Sequence, residues 1–368
     1  MSIKTSVYII SFSLLFSLFF GCKDQPKEKS NNIKNEETYI QASSFKTPKG
    51  MIWVERKIFL QGAKNTDLLA MNREKPAHYV IVDEFFMDAT EVTNKQFKDF
   101  VDATNYVTIA ERQIDWEDIK KDVPPGTPKP HDSILQPGSL IFNKEVDAIV
   151  NMENYTKWWI WKIGANWKHP QGPESSIKGQ DNYPVVHVAY DDALAYCLWA
   201  NRRLPTEAEW ESAAQGIQTD AIFTWGNDSK DLNKKANTWQ GQFPRINEPL
   251  DGFKYISQVK SYEPNTIGIY DMSGNVWEMV SDYFNVNYYN SLKGIKKIEN
   301  PKGATSAFNP DNPNVKERII KGGSFLCNAS YCASYRISAK MGTSTDTGSD
   351  HVGFRTVVTK DMLSRNND

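Results

Sequence analysis

Two cysteines near the C-terminus place the strongest constraint on this chain. Cys327 and Cys332 are two of its four cysteines, and four residues separate them. A short strand is predicted at Ile319-Ile320, and Gly322-Gly323 follows it, where the backbone can turn tightly or approach another group closely. Two thiols this close can form a disulfide or hold a soft metal ion as thiolates. In an exported chain, composition alone favours the structural disulfide.

The N-terminus predicts export and lipid attachment. A positive charge precedes an apolar run over residues 7–20, and Cys22 directly follows Gly21. The run is short for a membrane span and typical of a secretory signal. A cysteine after a small residue resembles a bacterial lipobox, so residues 1–22 are predicted to be a lipoprotein signal peptide ending at a lipidated Cys22. The alternative is an ordinary signal peptide or an uncleaved anchor. Residues 23–49 are polar and charged, which predicts a flexible tether.

Composition indicates a globular protein. A chain of 368 residues can bury a large core, and its 11 Trp, 16 Tyr and 18 Phe exclude a disordered chain. The formal net charge of −2 gives no indication of nucleic-acid binding. With Cys22 lipidated, three thiols remain, so at least one is free. Cys197 lies in an apolar helical stretch and is predicted to be a buried small hydrophobe.

The apolar pattern predicts an α+β chain with few helices and much irregular structure. Capping boxes begin two helices, Thr93 with Gln96 and Thr206 with Glu209, and a third helix is predicted from Asp191 to Asn201. Residues 112–156 are irregular, and long segments of this kind are often functional. Strands are predicted at 183–188 and, as one small first sheet, at 51–54, 57–60, 79–82 and 85–88.

The residues around the cysteines resemble the formylglycine-generating enzymes, also called sulfatase-modifying factors. The resemblance rests on G-G-S-F-L-C-N-A-S-Y-C-A-S-Y-R from Gly322, then G-F-R ending at Arg355. It extends over nearly the whole mature chain through G-A-N-W-K-H-P-Q-G-P from Gly164 and R-L-P-T-E-A-E-W-E from Arg203. The last string indicates fold and not activity, because binding relatives carry it too. The resemblance implies a single domain over residues 50–360 with the formylglycine-generating-enzyme, C-type-lectin-like fold.

The resemblance also implies a copper enzyme. In that family the cysteine pair binds one Cu(I), which here would be held by Cys327 and Cys332, and Cu(I) prefers soft thiolates. Ser324 matches the position of a hydroxyl that holds or relays the oxygen species, and Trp277 matches the ring that walls the site. The implied reaction uses O2 to convert the cysteine of a Cys-x-Pro-x-Arg segment in an unfolded sulfatase to formylglycine. Tyr335 and Arg336 fit the motif equally well as site residues or as packing residues.

Two Ca²⁺ sites are implied in the same way. Calcium takes about six to eight oxygens, many of them backbone carbonyls, from loops that converge. From the residues alone, Asx turns and helix caps explain these segments more simply. The first implied site comprises Asn237, Thr238, Asp251 and Phe253. The second comprises Asp271, Met272, Gly274, Val276 and Glu278.

The expected protein is an exported, membrane-attached lipoprotein that faces the periplasm or the cell surface. It is expected to act as a monomer on unfolded sulfatase polypeptides and to touch the membrane only through its lipid. Two departures are noted: His351 stands where many members have Asn, and residues 112–156 match weakly. One alternative is a non-catalytic binding or scaffold lipoprotein of the gliding-machinery type on the same fold. Another is an iron-dependent sulfoxide synthase, but five scattered histidines do not supply its histidine cluster.

The lipobox predicts the behaviour of a single substitution. Cys22→Ser removes the thiol that would carry the lipid, so the protein should leave the membrane fraction and escape processing. Fractionation and N-terminal mass spectrometry measure both effects. A variant that stays membrane-bound with an unchanged N-terminus would contradict lipidation.

Overall fold

The structure is a computed structural model that describes residues 46–121, 123–146 and 155–365. The predicted signal peptide, Cys22 and most of the tether lie outside those residues. The described part belongs to one compact unit, residues 45–368. Within it, no helix is long and apolar enough to cross a membrane.

Short strands in the described residues form four sheets. The central sheet has the order β10-β9-β7-β11, in which β11 runs parallel to β7 and the other neighbours are antiparallel. β5 and β6 form a separate two-stranded sheet, and β5 lies within residues 112–156, which the sequence marked as irregular. The strands are β1 Met51–Val54, β2 Lys57–Gln61, β3 His78–Val82, β4 Phe85–Asp88, β5 Gly138–Phe142, β6 Trp159–Ile163, β7 Trp277–Tyr283, β8 Ile298–Glu299, β9 Glu317–Lys321, β10 Lys340–Ser344, β11 Val352–Phe354 and β12 Val357–Val358.

The N-terminal strands lie where the sequence predicted them, but they belong to two sheets, so the prediction of one sheet is wrong. β1 pairs with β4, β2 pairs with β3, and the register continues from one pair to the other. The ladder is interrupted where the charged Glu55-Arg56 lies opposite Asp83-Glu84. This break lets β12 join β4 on one side and β8 join β3 on the other.

The helices confirm the capping boxes. Thr93 Oγ1 accepts a hydrogen bond from the Gln96 N–H at 3.3 Å, and the Gln96 side chain accepts one from the Thr93 N–H at 2.8 Å. Thr206 and Glu209 form the same reciprocal pair at the start of α4. The α-helices are α1 Asn94–Thr104, α2 Trp116–Ile119, α3 Tyr190–Trp199, α4 Glu207–Gln215, α5 Leu232–Lys235, α6 Tyr288–Ser291 and α7 Lys360–Ser364, and 3-10 turns cover Asn72–Glu74, Ile109–Glu111 and Tyr155–Trp158.

The strand predicted at residues 183–188 is absent from this described segment. Only an isolated bridge forms there, between Thr93 and Pro184. Pro184 has no N–H to donate to a ladder, and His187 has a φ of 60°, which ends extended backbone. The apolar residues are buried as expected, but they pack as an irregular segment.

Buried ion pairs fix the helix α4 and the C-terminal loop to the rest of the core. Glu211 of α4 accepts from Lys321 Nζ at 2.8 Å, and Glu207 lies 3.0 Å from Lys340 Nζ. Arg336 contacts Asp67 at 2.6 Å and Glu74 at 2.7 Å. Since removal of one partner leaves a buried charge without compensation, these pairs make the fold intolerant of single changes.

Arg336→Met tests this dependence. The variant keeps the volume of the side chain but leaves the Asp67 and Glu74 carboxylates without their cation, so the free energy of unfolding should fall by about 3–5 kcal/mol. Denaturant unfolding followed by circular dichroism measures the change. Lys98→Met is the matched control, because Lys98 pairs with Asp102 on the exposed face of α1. Similar stabilities for the two variants would show that the Arg336 pair is not a stabilising contact.

Candidate active site

Cys327 and Cys332 lie side by side in the loop that follows β9. Both are free thiols, with 2% and 6% of their surfaces exposed, and they lie close enough for each to shift the pKa of the other. The Ser324 N–H points at Cys327 Sγ from 3.4 Å. The structure therefore presents a reduced pair where composition alone favoured a disulfide. Cys197 is also free and buried, as predicted.

Two glycines allow this loop to fold tightly against the residues after Cys332. Gly322 and Gly323 have φ values of 86° and 73°. A side chain at Gly323 would approach the backbone of Ser334 and Tyr335 to within 2.8–2.9 Å, so only glycine fits. The close approach brings the segment before Cys327 next to the segment after Cys332.

The two thiols differ electrostatically. Burial raises the pKa of Cys327 well above its usual value, and its role as hydrogen-bond partner of Cys332 raises it further. Burial also acts to raise the pKa of Cys332, but hydrogen bonds from Cys327 and Ser334 outweigh it and lower the pKa. Cys332 is therefore the thiol of the pair that ionises more readily.

The pair opens into a cleft of about 720 Å³. Ser324 and Trp277, the other two predicted site residues, line it with the thiols. Both are buried, at 0% and 3% exposure. Further walls come from aromatic side chains, namely Phe142, Trp158, Trp159, Phe243, Phe284 and Tyr331. The four predicted catalytic residues thus meet in one place.

The remaining motif residues lie in different surroundings, one in the cleft and two in the core. His351 lines the cleft. Arg336 is engaged by Asp67 and Glu74, and Tyr335 stacks on Phe223 at 6.0 Å, so these two have packing roles.

Sequence reasoning missed part of the cleft wall. Leu140 and Phe142 of β5 come from the segment that was noted only as irregular, and β6 supplies Trp159. The apolar run G-S-L-I-F at 138–142 was the available signal for this strand, but five residues do not reveal which partner they pair with.

The first implied calcium loop is assembled in the structure. The Asp251 carboxylate accepts from the Thr238 N–H at 2.9 Å and from the Phe253 N–H at 3.0 Å. The Asn237 carbonyl accepts from the Asn275 N–H at 2.8 Å, which holds it beside the second loop. All four predicted residues are therefore close together, although backbone donors already engage both carboxylate oxygens of Asp251.

The second implied loop contains unsatisfied oxygen atoms. Asp271 Oδ1 is buried without a hydrogen-bond partner in the described structure, and so is one oxygen of Glu91, a residue that the sequence did not single out. Burial raises the pKa of Asp271 to about 6, and the nearby Glu278 carboxylate contributes. Burial and the Asp271 carboxylate raise the pKa of Glu91 well above its usual value. A hard cation would relieve this crowding of carboxylates.

Glu278 is already neutralised by a different partner. Arg355 donates two hydrogen bonds of 2.6 Å to its carboxylate, and Trp210 Nε1 donates a third at 2.7 Å. Over the described residues, no group of three or more His, Cys, Asp or Glu side chains forms a metal site. A cation at either loop would therefore rely mainly on carbonyl and amide oxygens.

The chain is similar to known proteins over most of its length. The Sulfatase-modifying factor enzyme 1-like domain matches residues 36–360. Formylglycine-generating enzyme of Mycobacterium tuberculosis is 41% identical over 287 residues, 77% of this chain and 91% of that protein. The mouse formylglycine-generating enzyme is 38% identical over 307 residues, 83% of this chain and 74% of that protein.

Two further likenesses qualify the comparison. Mouse Inactive C-alpha-formylglycine-generating enzyme 2 is 33% identical over 300 residues, 81% of this chain and 82% of that protein. The solved structure of PvdO from Pseudomonas aeruginosa superposes with a TM-score of 0.55 at 21% identity, covering 85% of this chain and 96% of PvdO. The latter likeness concerns the fold alone.

The fold and the cleft define an α+β protein with much irregular structure that carries a buried thiol pair in a cleft lined by aromatic side chains. The chain belongs to the sulfatase-modifying factor family, whose members include the formylglycine-generating enzymes.

The free thiols can be checked directly. Unfolding the protein without reductant in the presence of an alkylating agent should label both Cys327 and Cys332, because neither is bonded to another sulfur. Peptide mass spectrometry reads the modification, and Cys197 serves as an internal free thiol. Labelling of Cys197 alone, with the pair modified only after reduction, would establish the disulfide instead.

Proposed function

We propose that this protein is a copper-dependent oxidase that converts a cysteine of sulfatase polypeptides to formylglycine with O2. In balanced form, the peptidyl –CH2–SH group, O2 and two external thiols give –CHO, H2S, H2O and one disulfide. The carbon is oxidised, the two thiols supply two electrons and two protons, and O2 is reduced. Family membership supports sulfatase modification, and the buried thiol pair at the base of the cleft carries the proposal.

The donor set fits Cu(I). Cys327 and Cys332 are soft sulfur ligands that already contact each other, and Cu(I) accepts few ligands. When bound, this metal would supply the one-electron chemistry with O2 that protein side chains lack. The chain itself supplies the surroundings: the aromatic walls exclude water and position the peptide, and the buried Ser324 places a hydroxyl beside the thiols.

A non-catalytic binding protein is the second candidate. The likeness to the inactive mouse paralogue shows that this family includes members so described, and both readings use the same cleft. They differ in chemistry, because a binding protein does not need a reduced thiol pair that faces the groove.

The proposed oxidase is further expected to be attached to lipid through Cys22, to face the periplasm or the cell surface, and to act as a monomer.

Copper and turnover should depend on both thiols. Cys327→Ser and Cys332→Ser each remove a soft ligand, so stoichiometric Cu(I) binding and formylglycine formation should both be lost. Competition with a Cu(I) chelator measures binding, and mass spectrometry of a Cys-x-Pro-x-Arg peptide measures turnover. Cys197→Ser is the matched control, because that thiol is buried away from the cleft and should leave both measurements unchanged.

The same variants separate the metal site from a structural bridge. Loss of a native disulfide typically costs about 2–5 kcal/mol of stability. A metal-binding pair predicts a smaller change in the metal-free protein. Freshly reduced, folded protein that binds no stoichiometric Cu(I) would overturn the catalytic assignment and favour the binding protein.

Calcium should stabilise the native state. An ion that binds only the folded chain raises the free energy of unfolding, so chelator should lower the melting temperature of the parent. Asp251→Ala and Asp271→Ala should each reduce this response. Asp271→Ala is the sharper test, because Glu278 variants would also leave Arg355 without its partner. A parent melting curve that is indifferent to chelator would exclude the two calcium sites.

A further inference from the structure

A second cavity lies behind the wall of the active-site cleft. It has a volume of about 180 Å³, and Phe142 lines both spaces. The exposed side chains of Lys144 and Gln171 are among its lining residues, so it reaches solvent. It is large enough to hold several ordered waters, because one water needs only about 10–15 Å³ of probe volume.

Asp350 lines this cavity and carries a buried carboxylate oxygen without a hydrogen-bond partner in the described structure. The residue is 6% exposed and lines the cavity. Its Oδ2 accepts from the Phe142 N–H at 3.0 Å, whereas Oδ1 has no hydrogen-bond partner in the described structure. That oxygen lies 3.9 Å from His351 Nδ1. A buried carboxylate oxygen without a donor is costly unless water or a proton satisfies it.

His351 connects this carboxylate to the cleft. Its ring stacks on Trp159 with centroids 4.6 Å apart, and the residue lines the cleft together with the thiols. Nδ1 lies 3.1 Å from Ser349 Oγ, and the His351 carbonyl accepts from the Trp277 N–H at 2.9 Å. Unlike the asparagine common at this position in the family, an imidazole can receive a proton on one nitrogen and release one from the other.

We propose that Asp350 and His351 relay protons between the solvent-connected cavity and the thiol cleft. This inference rests on the proposed function, in which two protons released by the external thiols must reach reduced oxygen. A peptide seated in the cleft would block entry from that side, which makes a path through its rear wall useful. Asp350 exchanges protons with cavity water. A water that bridges the 3.9 Å between Asp350 Oδ1 and His351 Nδ1 carries them to the ring, which releases them from its other nitrogen toward the cleft.

The charges around the pair are compatible with this role. Burial raises the pKa of Asp350 to about 6, so it can gain and lose a proton near neutral pH. Burial lowers the pKa of His351 to about 3, so the ring is neutral, with one donor and one acceptor nitrogen. The titratable groups that face the pair from the surrounding segments are Lys144, Tyr183, His187 and Tyr255.

Turnover of two variants provides the first test. Asp350→Asn keeps the acceptor for the Phe142 N–H but cannot carry a proton, and His351→Asn introduces the residue common in the family. Each should lower kcat by roughly 100-fold, since proton transfer typically contributes about 10²–10⁴-fold. The inflection near pH 6 in the parent kcat profile should vanish in Asp350→Asn. KM for the peptide and Cu(I) stoichiometry should not change in Asp350→Asn, because Asp350 does not line the thiol cleft.

A control and an opposing outcome make this test decisive. His131→Asn makes the same substitution at an exposed histidine and should leave kcat unchanged. A purely structural role would instead alter KM, copper binding or stability while leaving the pH profile of kcat intact. Unchanged kcat in both relay variants would overturn the proposal.

A titration that needs no turnover separates the relay from the proposed function. Carbon-13 NMR of the metal-free protein should show the Asp350 carboxyl titrating near pH 6, with the signal assigned by its loss in Asp350→Asn. His351→Phe keeps a ring on Trp159 and should shift this titration. A carboxyl that does not titrate between about pH 4 and 8 would refute the relay. A parent that fails to convert peptide would refute the oxidase instead.

Discussion

The ion pair between Arg355 and Glu278 organises the centre of the molecule. Both side chains are fully buried, and two hydrogen bonds of 2.6 Å join them. Arg355 also donates to the carbonyls of Asp88 at 3.2 Å and Tyr270 at 2.9 Å. One guanidinium therefore connects the central sheet, the N-terminal sheet and the loop before β7. Bidentate geometry and satisfied donors make such a buried pair tolerable where a lone charge would not be.

The active-site cleft depends on this arrangement. β7 is held in register between β9 and β11, and Trp277 at its first position forms part of the cleft wall. The thiol loop begins where β9 ends, so its position follows from the same sheet. Functional residues often lie on loops, but here the two thiols are positioned by the strand before them and by two glycines that allow close backbone contact.

Local sequence patterns predicted the local parts of this structure. Capping boxes, short N-terminal strands and the nearness of two cysteines five positions apart are all encoded by neighbours in the chain. Long-range pairings are not. Arg355 and Glu278 are 77 positions apart, and the β5-β6 sheet takes its place only against the distant cleft. The wrong prediction of a strand at 183–188 shows the same limit. The apolar residues indicated a buried segment, but burial alone does not distinguish a β-strand from irregular backbone.

The alternation of side chains along β7 places the thiol cleft and the carboxylate cluster on opposite faces of the same strand. Trp277 faces the thiol cleft, and its neighbour Glu278 faces Arg355 and the carboxylates of Asp271 and Glu91. Successive residues of a strand project to opposite faces, about 3.3 Å apart along the chain. The residue that faces the carboxylate cluster therefore directly follows the residue that forms part of the aromatic wall. If a cation binds this cluster and changes affinity in the cleft, thermodynamic reciprocity would require that occupancy of the cleft change cation affinity by the same factor.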